Sequence, residues 1–157
     1  MDSPRHAFWL CNENERHYED FRDLLRRKDA PVQLPDSVLR YFHDSLRWVP
    51  TIIPDNQGGS THEGLNYYSP TVINHTGADV FYRICLAWTQ LFLNAPDRFE
   101  LTGSFSWPAS ESENHPPRGA YEKMAIDKAW MLEVLQELTN FADQAKTGDF
   151  FILHLGI

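Results

Sequence analysis

The chain has 157 residues, of which 42% are hydrophobic and 13% aromatic, and its formal net charge is −8 at pH 7. This length and composition are typical of one folded domain over residues 1–157 with a substantial core, which excludes a disordered segment and a miniprotein held by disulfides. The excess of acids disfavours direct binding to DNA or RNA, whose backbones carry the same sign of charge. The same excess favours a basic partner, and it also promotes solubility.

The N-terminal region lacks the pattern of a secretory signal. Its apolar run, residues 7–11, is short and follows an acid at Asp2, whereas a signal has a longer apolar run behind basic residues. The most apolar segment, residues 80–93, is interrupted by Arg83 and is too short to span a bilayer. We therefore expect a cytoplasmic protein that does not contact a membrane.

The first third of the chain is predicted to contain one strand and two helices. Residues 5–11 are aromatic and precede polar sequence, which indicates a strand. Residues 14–28 have apolar side chains at helical spacing, with early acids and late bases that suit the helix dipole. A second helix is predicted to start with Asp36 or Ser37 as its N-cap and to end before Pro50. Its apolar stripe comprises Val38, Leu39, Phe42 and Leu46.

The middle of the chain is predicted to be a loop followed by a buried helix. Residues 54–64 are polar and glycine-rich, which indicates a long loop. The segment after it is extended, with Pro70 excluding a regular central strand. The next helix is predicted to start at a cap formed by Thr76 or Asp79 and to end before Pro96. Because apolar residues cover most of its circumference, we expect this helix to lie in the core.

A hairpin is predicted next. Residues 98–107 alternate apolar and polar side chains, so Phe105 and Trp107 should share the core-facing side of Leu101. A polar loop follows, and residues 120–126 are predicted to return as the antiparallel strand.

The chain is predicted to end with a helix and a strand. Asp127 should cap the helix, and Gly148 should follow its C-terminus. The apolar run near the end predicts a central, buried strand. The whole pattern predicts an α+β fold: a single domain with a small, mostly antiparallel sheet packed against helices, one of them largely buried.

No group of residues identifies a reaction. The seven histidines are scattered and show none of the spacings typical of zinc sites, so we expect neither a metal nor a cofactor. Cys11 and Cys85 lie in apolar segments, which indicates core packing rather than nucleophilic chemistry. This pattern favours a binding protein over an enzyme.

In size, acidity, aromatic content and lack of catalytic motifs, the chain resembles bacterial immunity proteins that neutralise polymorphic toxins of the contact-dependent or type VI kind. The resemblance implies a cognate toxin with a basic surface, commonly a nuclease effector, whose active site is covered. A surface for such a partner would combine acids with aromatic anchors. The candidate residues are Asp55, Glu63, Tyr67, Tyr68, Trp107, Glu111, Glu113 and His115. The sequence does not define an oligomeric state.

Three alternatives to toxin neutralisation stay open. One is a small α+β enzyme with its site between the loops 54–64 and 108–119, where His62, Glu63 and His115 would perform acid–base chemistry. Another is an acidic adaptor or subunit, which binds a basic protein without inhibiting it. The third is a phage-encoded mimic of nucleic acid, which the acidic charge would also suit.

Overall fold

The computed structural model describes residues 4–15, 32–55, 59–107 and 119–157. Within these ranges the chain forms eight strands and three α-helices, which confirms the predicted α+β class. The predicted helix over residues 14–28 overlaps the described ranges only in the 3₁₀ turn Glu13–Glu15, and the rest of it lies outside them. In chain order the elements are β1 (Arg5–Asn12), β2 (Val32–Pro35), α1 (Asp36–Leu46), β3 (Pro50–Ile53), β4 (Ser60–Glu63), β5 (Thr71–Ile73), α2 (His75–Phe92), β6 (Arg98–Ser106), β7 (Ala120–Asp127), α3 (Lys128–Ala145) and β8 (Phe150–Leu155).

Six of these strands form the main sheet, in the order β2-β1-β8-β5-β3-β4, and all neighbouring pairs are antiparallel. β8 lies inside this sheet between β1 and β5, which confirms its predicted central position. β6 and β7 form a separate antiparallel hairpin, which confirms the predicted return strand.

The short strands of the main sheet were not predicted from the sequence. The predicted loop over residues 54–64 is wrong in its second half, where β4 forms and pairs with β3. β5 begins directly after Pro70, so the proline precedes the strand instead of interrupting it. Strands of three or four residues are too short for a period of two to show.

Helices pack on one face of the main sheet. The predicted stripe of α1 is confirmed, since its four apolar residues are all buried. α2 and α3 pack against each other, and α3 also contacts β8 and β1. The other face of the sheet carries a smaller buried cluster that includes Trp9, Cys11 and Phe151. Cys85 is buried as well, as predicted for both cysteines.

The two faces of α2 differ in exposure. Phe81, Ile84 and Cys85 are buried, but Leu86 and Leu91 are 39% and 54% exposed. The prediction of core packing is therefore correct for one face and wrong for these two leucines. Such exposure is common, because a folded chain has too little polar surface to cover its outside. No helix in the described ranges has the length and apolar character that crossing a bilayer requires.

The helix starts differ from prediction in two of three cases. The Asp127 side chain accepts from the Trp130 backbone N–H at 3.0 Å and caps α3 as predicted. The cap of α2 is Asn74, whose Oδ1 accepts from the Thr76 N–H at 3.0 Å, so neither Thr76 nor Asp79 is the cap. α1 has no side-chain cap, because Asp36 is its first residue and its carboxylate binds elsewhere.

Candidate functional site

A β-bulge in the β6–β7 hairpin reverses the direction of its side chains. Before the bulge, Thr102 lies opposite Lys123, and Leu101 is buried. An uninterrupted register would place Phe105 opposite Ala120, but it lies opposite Tyr121, because β6 contains one extra residue. A one-residue shift moves a side chain to the other face of a strand.

The bulge overturns the predicted orientation of the two aromatic residues that follow it. Phe105 and Trp107 were expected on the core-facing side with Leu101, yet they are 46% and 66% exposed. Both belong to the solvent side of the hairpin, together with Tyr121, which is 59% exposed. Gly103 lies within the irregular segment, and a glycine inside a strand is a typical mark of a bulge.

Phe105, Trp107 and Tyr121 form what we call the aromatic patch. The Phe105 ring packs edge-on against Trp107 at 5.3 Å and against Tyr121 at 5.0 Å between centroids. These distances are typical of favourable aromatic pairs. The patch is thus an ordered cluster of three rings that remain open to solvent.

The backbone of Gly119 supports the aromatic patch. A Cβ atom at this position would lie 2.2 Å from Cζ of Phe105, so the ring lies directly over the glycine. We expect Gly119→Ala to displace the Phe105 ring and to cost about 1 kcal/mol of stability, measured by urea unfolding, with altered ring-current shifts in NMR spectra. In a Phe105→Ala background the same substitution should cost nothing, because its clash partner is absent. An equal cost in both backgrounds would contradict this contact.

On its inner side, the bulge borders a polar cleft of about 280 Å³ between the hairpin and α1. Three cleft residues lie on one face of α1, three belong to the bulged segment of β6, and one comes from β7. They are Ser37, Arg40, Tyr41, Thr102, Gly103, Ser104 and Glu122. We call this feature the α1–hairpin cleft.

A chain of polar side chains runs from this cleft into the main sheet. Arg40 Nε donates to Asp36 Oδ2 at 2.9 Å, and His6 Nε2 lies 3.1 Å from Asp36 Oδ1. His6 Nδ1 in turn lies 2.9 Å from His154 Nε2. Since a carboxylate only accepts, a neutral His6 donates through Nε2–H, and its Nδ1 accepts from His154 Nε2–H. This series of hydrogen-bonded side chains connects the start of α1 to β1 and β8.

His154 forms the buried end of this series of polar side chains. The residue is fully buried, and burial, together with the positive charge that His6 carries when it is protonated, lowers the pKa of His154 to about 3. Its Nδ1 has no hydrogen-bond partner among the described residues. Since both imidazoles are fully buried, they are enclosed rather than presented to a substrate.

Tyr67 lies beside the histidine pair. Its ring meets His6 edge-on at 4.9 Å and His43 at 5.3 Å between centroids. Its hydroxyl is buried, and within the described ranges it lacks a hydrogen-bond partner. Burial and the nearby Asp36 carboxylate raise the pKa of Tyr67, while Arg40 acts in the opposite direction. Tyr67 is thus half-buried, with its polar end turned inward.

The other candidate partner-binding residues are spread over different parts of the fold. Asp55 is exposed and accepts from the Gly59 N–H at 2.8 Å, and Glu63 is exposed on β4. Tyr68 is 79% exposed. Trp107 belongs to the hairpin. Asp55 therefore follows β3 and Glu63 ends β4, at the edge of the main sheet, while Trp107 follows β6 in the separate hairpin. The remaining candidates lie outside the described residues: Glu111, Glu113 and His115.

The residues of the enzyme alternative are only partly described. His62 is exposed on β4, with Nε2 2.9 Å from Ser60 Oγ. Glu63 is its neighbour on the strand, so the two side chains point to opposite faces. His115 lies outside the described ranges. In the part of the chain that the structure describes, no group of three or more His, Cys, Asp or Glu side chains could hold a metal ion.

Several residues of the site were not identified from the sequence. Gly103 within an alternating strand was the available signal for the bulge, and hence for exposure of the aromatic patch. His6 and His154 both interrupt apolar strands, but no pattern links residues 148 positions apart. Glu122 lies in an ordinary strand and carries no local signal.

No protein-family model, curated protein or solved structure matches this chain. The candidate site is therefore defined by the chain's own geometry. It consists of the aromatic patch on the outer face of the hairpin and the α1–hairpin cleft on its inner side.

Proposed function

We propose that this protein is a cytoplasmic, acidic binding protein that neutralises a cognate basic toxin, a nuclease effector, by covering its active site. The aromatic patch is the observation that carries the proposal. It places three exposed rings on a hairpin outside the main sheet, in a chain with a net charge of −8. Aromatic side chains dominate the binding energy of many protein interfaces, and opposite charge accelerates association.

The geometry of the patch suits an interface. Burial of apolar surface is favourable by about 25 cal/mol per Å² of apolar area. The exposed rings would gain this free energy when a partner covers them. The rings of Phe105, Trp107 and Tyr121 already pack on one another. Their side chains therefore have little conformational entropy to lose when a partner covers them. A covered patch would therefore contribute to affinity at a low entropic cost.

The charge supports a basic partner. An acidic surface raises the rate at which a basic protein meets it, and salt screens this effect. The rate of association with the toxin should therefore fall as ionic strength rises, while the contacts of the aromatic patch should control the rate of dissociation.

The test begins with capture of the partner from the native host, followed by purification of its toxin domain. An equimolar amount of this protein should abolish the nuclease activity. The double substitution Trp107→Ala and Tyr121→Ala should raise the dissociation constant by about 30-fold, which corresponds to about 2 kcal/mol. Trp48→Ala is the matched control, because Trp48 is 70% exposed but lies outside the hairpin.

Different outcomes identify different failures. A complex in which the partner keeps its full activity would replace toxin neutralisation with the adaptor role. Equal effects of the Trp48 and hairpin substitutions would remove the aromatic patch from the interface. Absence of binding to any toxin domain would refute the proposal.

A further inference from the structure

We infer that the α1–hairpin cleft receives a basic side chain of the partner, with Glu122 as the group that binds its charge. The inference rests on the proposed function and assigns a specific partner chemistry to a second part of the same hairpin. Glu122 and Ser104 line the cleft, and they are the chain neighbours of Tyr121 and Phe105 in the aromatic patch. A partner that grips the hairpin would therefore contact both its outer and its inner side.

Glu122 is the uncommitted charge of the cleft. It is exposed, and no cation lies within ion-pair distance of it in the described ranges. Its carboxylate lies over Gly103, where a Cβ atom would be 2.8 Å from Oε2. The absence of a side chain at Gly103 thus leaves room for this carboxylate at the cleft wall.

Two cations of the described residues lie near the cleft, and each has a hydrogen-bond partner. Arg40 Nε donates to the Asp36 carboxylate at 2.9 Å, which offsets its charge. Lys123 Nζ donates to Thr102 Oγ1 at 2.8 Å. Lys123 does not line the cleft, and of the two charged residues that do, Glu122 is the one without a partner of opposite charge among the described residues.

The remaining walls suit an ammonium or guanidinium group. The Tyr41 ring is 39% exposed and lines the cleft, so a cation can approach it as well as the carboxylate. The hydroxyls of Ser37 and Ser104 add acceptors. The volume of about 280 Å³ leaves space for a long side chain to enter.

The test uses N-acetyl-arginine amide as a probe and needs no toxin. Titration into the ¹⁵N-labelled protein should shift the amide signals of Tyr41, Gly103 and Ser104 with a saturable, millimolar affinity. N-acetyl-citrulline amide has nearly the same shape without the charge and should produce no saturable shift. Glu122→Gln should weaken binding of the arginine probe by about five-fold or more.

The matched control is Glu137→Gln, which removes an exposed acid from α3 and should leave the titration unchanged. Equal binding of the citrulline probe, or an equal effect of the control, would overturn the inference. Saturable shifts of the same amides by inorganic phosphate, with none by the arginine probe, would assign the cleft to anions through Arg40 and would also overturn it. Because the probe is independent of the toxin, these results and the nuclease assay can fail separately.

Discussion

Acidification from pH 7.5 to pH 5 should lower the free energy of unfolding by about 2 kcal/mol through His154. In the folded protein, burial lowers the pKa of His154 to about 3. In the unfolded chain an ordinary histidine titrates with a pKa near 6.5. Below that pH the unfolded state takes up a proton that the folded state does not, so stability is full above pH 6.5 and is lost towards pH 3.

Urea unfolding at a series of pH values measures this effect. His154→Gln should flatten the dependence between pH 5 and pH 7.5, while the amide N–H of the new side chain can still donate to His6 Nδ1. His62→Gln is the matched control, since His62 is exposed on β4 and its removal should leave the slope unchanged. The assignment to His154 would be wrong if the His154→Gln protein kept the wild-type slope.

Gly77→Ala should destabilise the protein by about 2–3 kcal/mol, although glycine-to-alanine changes inside helices usually stabilise. Gly77 lies in the first turn of α2, and a Cβ atom there would be 2.0 Å from the Pro50 carbonyl oxygen. The obstacle is backbone in β3, so it cannot rotate away as a flexible side chain can. The added methyl group must therefore separate α2 from the sheet.

Chemical denaturation followed by circular dichroism at 222 nm measures the change. The control is Ala87→Gly in the same helix, at an exposed position, which should cost about 1 kcal/mol through helix propensity alone. Both substitutions should thus destabilise, although they exchange the same two residues in opposite directions. A more stable Gly77→Ala protein would show that α2 and β3 pack less closely than the structure indicates.

The sequence predicted the long elements and missed the short ones for a physical reason. α2, α3 and the strands β1 and β8 span enough residues for a hydrophobic period to show, and α1 was found by its stripe. β2 to β5 have three or four residues each, so only their pairing in the sheet defines them. The cap of α2 was misassigned because several small polar residues surround the start of the helix, and Asn74 forms the bond.

The candidate site was less predictable than the fold. Trp107 was identified as an anchor, but it was also expected to face the core, because one extra residue in β6 cannot be read from alternation. The contact between His6 and His154 joins the two ends of the chain, and Asp36 joins it through α1. Such contacts arise only when the sheet assembles, so local patterns do not contain them.

The bulge in β6 also has a consequence for how this surface can change during evolution. Gain of one residue in β7 between Tyr121 and Lys123 would pair the extra residue of β6 and turn Phe105 towards the interior, without any substitution. Substitutions can modify the rings one at a time, but a single-codon insertion in β7 would withdraw Phe105 and Trp107 from solvent together. The length of this hairpin, more than its composition, therefore determines whether the protein presents an aromatic surface at all.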